Sequence, residues 1–398
     1  MDIWLWEIIK AIGRFFVHPM FYIFLLSSFL VGYWRVKRER KDFAVKIHDV
    51  WYELRTSLLS SLSLGILLSI ITIGAGIVLS KASLLVIAAW TIFFALFMQY
   101  RYVSAAYSFG IAILYFTFFS KVHTGVQLVD TWIGDEQGTS LQALAILMSL
   151  LLLVEGRLII KNAAQTSTPR LLKGKRGFHI GMHRAKRLWL LPVFIFIPGD
   201  AITKLFDWWP IVSIGSHTFS LFLVPFAVGF SKAIRGALPS TSISYTGRRI
   251  VGLSILVLAL AIISHWLPGV AVAAAGVAIL GRFTIAIRDR IEDAKQPPYF
   301  SIQENGLMIL DTLPESPAEE MGLKPGEIIV KVNGIVPKTL KDFYQALQRN
   351  AAGAFCKLDV IDTNGELRFV QRAMFAGEHH ELGIIFVQRD YDLDTEVV

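Results

Sequence analysis

Three places in the chain bring together side chains capable of chemistry. His379-His380-Glu381 has the residue types of a metalloprotease centre. There a His-Glu-x-x-His helix presents two imidazole ligands on one face, with the Glu as base. Here Glu381 is followed by Leu382-Gly383-Ile384, so the second histidine is missing and a solvated loop is the expected setting. Gly215-Ser216-His217 sets a nucleophile beside a base, but in what reads as an external loop without an oxyanion arrangement. Glu155 with Arg157, and Asp200 with Lys204, place charges inside apolar runs. Such charges serve transport or pair with each other, and Asp200 and Lys204 are four apart, as along a helix. Structural pairing is the expectation, with a transporter as the rival. No nucleotide-binding Gly-rich motif occurs. Cys356 is the only cysteine, which excludes an intrachain disulfide and a Cys-rich metal site, and its strand-like surroundings predict a small buried hydrophobe. No catalytic residue, metal or cofactor is expected.

The elements that position these residues are mostly apolar. The 398 residues are 54% hydrophobic, with a mean hydropathy of +0.54, which a soluble chain of this length does not reach. The formal charge of +8 divides sharply. Up to Pro298 there are 30 Lys and Arg against 15 Asp and Glu, and from Tyr299 on there are 9 against 16. A basic membrane part and an acidic C-terminal domain follow, and positive-inside loops account for the basic excess without nucleic acid.

Nine runs are candidate spans: Phe15–Trp34, Leu58–Leu79, Ser83–Tyr100, Val103–Phe119, Ser140–Ile160, Leu188–Phe206, Ile211–Phe230, Ile250–Leu267 and Val270–Ile287. The run Arg35–Lys41 and the stretch from Arg157 to Arg187 mark cytoplasmic junctions. Two counts fit the alternation: nine spans with the N-terminus outside, or eight with the first run only dipping into the bilayer. Either way the C-terminal domain is cytoplasmic. Residues 1–14 read as an amphipathic, interfacial N-terminus, and residues 15–287 as a transmembrane domain of eight or nine helices. Phe43, Ile47, Val50, Trp51 and Leu54 predict an amphipathic helix over Asp42–Thr56, lying on the inner membrane surface or packed as a loop helix. The basic Arg157–Arg187 stretch reads as a loop that meets anionic lipid or docks an acidic partner.

Residues 288–298 form a linker ending in Gln296-Pro297-Pro298, and residues 391–398 an acidic tail. Between them, Ser316 to Gly334 has a legible order. Ser316 caps a one-turn helix with Pro317 at its first position, and Gly322 ends it. Pro325-Gly326 suits a type II turn, Glu327–Val332 a strand, and Asn333-Gly334 a tight turn. Strands at Gly306–Leu310, Lys357–Asp362, Leu367–Arg372 and Leu382–Val387 surround it, with a helix at Leu340–Gln348 whose Leu340, Phe343 and Leu347 face the core. This run resembles the middle of a bacterial PDZ domain, over about residues 299–390. The fold class is therefore a polytopic α-helical membrane protein followed by a small α+β PDZ domain, an open β-barrel with two helices. The resemblance implies a groove that takes a peptide segment or C-terminus by strand addition, with a Φ-Gly-Φ loop receiving the carboxylate. Leu382, Gly383 and Ile384 are the best match to that loop, although they follow the motif instead of preceding it. An ordinary closing strand with a bulge glycine is the competing reading.

Over its whole length the order of parts resembles the MinJ family of polytopic division-site proteins. The parts are the Trp-rich start, the Arg/Lys run, the basic stretch from Arg157 and the motif from Ser316. The resemblance implies a membrane scaffold at septa and poles that links a DivIVA-like protein to a MinD-like ATPase, with no enzymatic activity. The alternatives are a substrate-presenting subunit related to PDZ-bearing membrane proteases, and a transporter with a regulatory tail.

Overall fold

The computed structural model describes residues 2–119, 140–174, 179–203, 209–210, 218–348, 355–373 and 382–387. Five helices among them are long and apolar enough to cross a membrane: α2 (Pro19–Phe43), α3 (Tyr52–Ala75), α6 (Leu141–Leu158, continued to Ala163), α7 (Pro239–Ile263) and α8 (Val270–Lys295). At ~1.5 Å per residue such helices exceed the ~30 Å hydrocarbon core of a bilayer. Shorter helices are α1 (Asp2–Val17), α4 (Lys81–Leu96) and α5 (Ala105–Phe118). With the strand-rich C-terminal domain, this is the architecture of a polytopic helical membrane protein carrying a small α+β domain.

Local chemistry sets several boundaries. The Phe15–Trp34 run is broken at His18, whose Nδ1 accepts from the Met20 amide while Pro19 opens α2. Ser80 and Ser140 cap α4 and α6 by accepting from the amides of Ser83 and Ala143. The helix expected over Asp42–Thr56 does not form. Instead α2 continues through the basic run to Phe43, and α3 starts at Tyr52. The connection is held by Arg35, whose guanidinium donates to the carbonyls of His48 (3.2 Å) and Asp49 (2.6 Å). It also pairs with Glu39 (2.7 Å) and Glu53 (2.6 Å). Carbonyls directed at a side chain leave no helical ladder there.

The largest departure concerns two expected spans. Leu188–Phe206 and Ile211–Phe230 are not helices where described: they lie in β2 (His179–Thr203) and β3 (Thr218–Ile234), a long antiparallel hairpin. Alternate residues face opposite ways. Trp189, Leu191, Val193 and Ile195 pack with α3, α5, α6, α7 and α8, while Leu188 and Leu190 pack with Phe15, Met20 and Phe24 of α1 and α2.

A hairpin among apolar helices must satisfy its outer edges, because no water is there to do so. On β2, β1 (Thr168–Lys173) pairs with His179–Arg184. Farther along, Ser69 Oγ of α3 accepts from the Phe194 amide (2.9 Å), and Thr72 Oγ1 donates to the Phe194 carbonyl (2.5 Å). Beyond them, the Leu79 amide donates to the Phe196 carbonyl and the Phe196 amide to the Ile77 carbonyl. Pro192 pairs with Pro225 in register. Pro192 shares the outward parity of Phe194, and Pro225 that of Gly229, whose amide donates outward to Val103. The N–H that each proline lacks therefore falls on an outer edge, and the ladder between the strands is intact. Close packing of α3 on β2 requires Gly65, where a Cβ would lie 2.7 Å from Pro192 Cδ.

The C-terminal domain follows its expected order. Ser316 caps α9 (Pro317–Glu320), Gly322 (φ +68°) ends it, and Gly326 (φ +93°) occupies the turn before β5 (Ile328–Val332). Asn333 (φ 50°) and Gly334 (φ 86°) form the tight turn after it. α10 (Leu340–Gln348) buries Phe343, Ala346 and Leu347, with Leu340 partly covered. The strands β4 (Leu307–Thr312), β5, β6 (Phe355–Ile361), β7 (Leu367–Ala373) and β8 (Ile384–Phe386) form one antiparallel sheet in the order β7-β6-β5-β4-β8. It is not closed.

Candidate functional site

β8 lies at a sheet edge, paired with β4 on one side only. Ile384 and Phe386 point into the domain's core, where the Phe343 ring of α10 sits 5.0 Å from Phe386. Just before β8, the Leu382 carbonyl accepts from the Ala318 amide (3.0 Å) and the Gly383 carbonyl from the Leu313 amide (2.7 Å). Both carbonyls therefore turn inward. Among the described residues, the amides of Leu382 and Gly383 have no hydrogen-bond partner. Leu382–Val387 are themselves buried, so what this edge offers an extended chain is backbone left unpaired on one side of β8 among the described residues, not an exposed surface. Gly383 has φ +76°, and a Cβ there would lie 2.6 Å from Ser316 Oγ, the cap of α9. Gly383→Ala is therefore expected to destabilise the domain by ~1–3 kcal/mol. Faster amide exchange at Ala318–Glu320 would report it. Any side chain at Gly383 thus acts through loop strain before it acts through charge.

The other sequence candidates are dispersed. Fully buried Glu155 pairs with Arg282 Nε of α8 (3.0 Å) and accepts from Ser104 Oγ (2.6 Å), so it is a structural tie between helices. Arg157, by contrast, is exposed. Asp200 lies in β2, which corrects its expected pairing along a helix, and Lys204 falls outside the described residues. Gly215-Ser216-His217 and His379-His380-Glu381 also fall outside them. Among the described residues no group of His, Cys, Asp and Glu is arranged to hold a metal. Cys356 is buried, and burial pushes its thiol up to about 11.

The basic Arg157–Arg187 stretch is not a free loop. Much of it forms β1 and the start of β2, and Arg187 is consumed internally, donating to Thr56 Oγ1 (3.0 Å) and to the Thr166 carbonyl (2.7 Å). The same end of the membrane part holds a second charge cluster. Asp289 of α8 takes Lys232 (3.2 Å) and Arg249 (2.6 Å), and Arg249 also meets Glu292 (3.0 Å).

The family model of the PDZ domain matches residues 309–361, from β4 through β6, and stops short of Leu382–Ile384. Beyond that domain, "Cell division topological determinant MinJ" of Bacillus subtilis (strain 168) is 39% identical over 391 residues. That alignment covers 97% of this chain and 96% of that protein. The chain belongs to the MinJ family. "Probable cell division topological determinant MinJ" of Lacticaseibacillus paracasei is 23% identical over 380 residues, covering 93% of this chain and 96% of that protein. The protein of the same name from Lacticaseibacillus casei (strain BD-II) gives the same figures. No solved structure matches the chain.

In this MinJ-family chain the PDZ domain rests on the membrane part through the second face of its sheet. Ile385, Val387 and Leu310 pack with Phe43, Ile47 and Phe300. The Gly181 amide donates to the Phe300 carbonyl (2.9 Å), the Tyr299 amide to the Arg235 carbonyl (2.7 Å), and His183 Nε2 to the Leu310 carbonyl (3.0 Å). The helical spacing of Phe43 and Ile47 thus reports this contact, not a membrane-surface helix. Sequence reasoning missed the contact, because Phe43 and Ile47 read equally well as one face of an amphipathic helix.

Asp311 of β4 sits at this junction, near Tyr52 and Glu39. Burial pushes its carboxyl up to about 7; its bond from the Thr312 amide opposes this, and Glu39 and Glu319 add to it. A carboxyl raised in the folded state favours folding at low pH, and that contribution is lost as pH rises from its ordinary value of 3.8 through about 7. Asp311→Asn is therefore expected to match the parent at pH 4 and exceed its stability at pH 8, by roughly 1–3 kcal/mol. Thermal unfolding of both chains across that range checks this.

Proposed function

We propose that this chain is a membrane scaffold for placing the division site. In this reading it holds a DivIVA-like protein at poles and septa and recruits a MinD-like ATPase, whose complex with MinC blocks misplaced division rings. The observation that carries the reading is the co-linear match, over nearly the whole chain, to a protein named as a cell division topological determinant. It is supported by the buried Glu155–Arg282 pair, a tie between helices instead of an unpaired charge on a path.

The PDZ side is the cytoplasmic side, by the positive charge of Arg35–Lys41 and the basic residues of β1 and β2. The hairpin enters and leaves the same face, so replacing two helical spans with it alters the side of no other segment. The N-terminus then lies opposite the PDZ domain. Leu382, Gly383 and Ile384 open a β8 edge that takes an extended segment or C-terminus of a partner.

A fluorescent fusion expressed in place of the native gene tests the reading. Signal concentrated at septa and poles is expected, with minicells or filaments in the deletion strain. Uniform membrane signal together with normal division would overturn it.

A further inference from the structure

At the PDZ end of the membrane part, α2, the end of α4 and the β2–β3 hairpin enclose a cavity of about 280 Å³. Arg101, Arg184 and Lys186 line it, together with Trp34, Phe97 and Tyr100. Local structure forces the three cations together. Arg184 and Lys186 are two apart on β2 and so share a face. The chain after α4 reverses at Met98 (φ 54°), which brings Arg101 alongside. Among the described residues none of the three forms an ion pair, and no Asp or Glu lines the cavity. The acids of nearby α2 are engaged elsewhere, Glu39 with Arg35 and the Ile47 amide, and Asp42 with the Leu171 amide. Lys186 Nζ lies 5.0 Å above the Tyr100 ring, a contact that leaves its charge uncompensated.

The lip of the cavity has the opposite character. Leu96, Phe97 and Trp34 are 55%, 66% and 51% exposed. They sit at the end of α4 and toward the end of α2, where an interfacial tryptophan belongs. Three unpaired cations with an apolar lip complement an amphiphile whose charged head is an anion.

We propose that this cavity binds an anionic phospholipid of the adjoining leaflet, its phosphate among Arg101, Arg184 and Lys186 and its acyl chains along Leu96 and Phe97. A free phosphate would meet the same cations but would leave the apolar lip bare. An acidic peptide would likewise meet the cations and leave the apolar lip bare. The site differs from the peptide edge of the PDZ domain and does not depend on the division-site reading.

The test uses the full chain in dodecyl maltoside, with thermal unfolding followed against added phosphatidylglycerol, phosphatidylcholine or inorganic phosphate. Phosphatidylglycerol is expected to raise the midpoint, and the other two to leave it near the lipid-free value. Arg101→Gln and Lys186→Gln should each weaken the apparent phosphatidylglycerol affinity about fivefold, the share of one cation near an anionic surface. Arg248→Gln, which removes an exposed cation on α7 remote from the cavity, should leave it unchanged. Should Lys186→Gln lower the basal midpoint, exposed Arg101 carries the comparison alone. Equal response to phosphatidylcholine or inorganic phosphate would overturn the proposal. So would equal loss in Arg248→Gln, undiminished affinity in Arg101→Gln, or a larger shift with polyglutamate than with the lipid.

Discussion

Arg282→Ala is expected to cost about 3–5 kcal/mol of folding stability, because it strands a charged partner without compensation. That partner is Glu155, wholly buried where α5, α6 and α8 meet, with Arg282 Nε at 3.0 Å and Ser104 Oγ at 2.6 Å. Water cannot reach the carboxylate to replace the guanidinium. The double variant Glu155→Gln, Arg282→Met should recover most of the loss, since a polar–apolar pair of similar volume leaves no naked charge. Denaturation midpoints of the detergent-solubilised chain, with size-exclusion retention as a check on integrity, measure both. A loss under about 1 kcal/mol would mean that solvent enters the pair, as at an exposed salt bridge. An ion path through the helices would then return as a serious alternative.

The second large effect is expected at the hairpin edge. Ser69→Ala with Thr72→Val keeps the volume of α3 nearly unchanged but removes the acceptor for the Phe194 amide and the donor to its carbonyl. Each stranded backbone group costs about 1–3 kcal/mol. The combined variant should therefore lose roughly 2–5 kcal/mol and expose the Phe194 amide to exchange. Thr72→Ser retains the donor and should cost far less. If the double variant melts with the parent, water or lipid headgroups must reach that edge, and the hairpin is not enclosed as described.

How much of this was legible in the residues depends on the scale of the feature. The PDZ motif was readable almost position by position, because turns and caps are local: Ser316, Gly322, Gly326 and Asn333-Gly334 each meet a backbone requirement that few residues can satisfy. Helices α3, α6, α7 and α8 were readable from length and hydropathy alone. The hairpin was misread because a fully buried strand and a buried helix share one signal, an unbroken apolar run. Two traces could have separated them. Pro192 and Pro225 sit mid-run, where a helix would break, and Val193-Phe194-Ile195-Phe196-Ile197 is rich in β-branched and aromatic residues. The docking of the PDZ domain was not legible at all. Ile385 and Val387 read as an ordinary closing strand, and nothing local distinguishes a face that packs on its own domain from one that packs on another. The candidate loop at Leu382–Ile384 rests on its pattern alone, and the contact between Gly383 and Ser316 is a long-range fact that pattern does not contain.

The partners of the β2 edge also constrain how the protein is made. A lone strand cannot enter lipid, since its backbone groups would go unpaired along both edges. Ser69, Thr72 and Ile77 are synthesised more than a hundred residues before Phe194, and the Ser60–Asn162–Trp189 contacts likewise join β2 to segments already present. A nascent chain emerging from α6 therefore meets a prepared receiving surface on one side and waits only for β3 on the other. The chain thus places the partners of the β2 edge ahead of β2 and its other partner, β3, directly behind it.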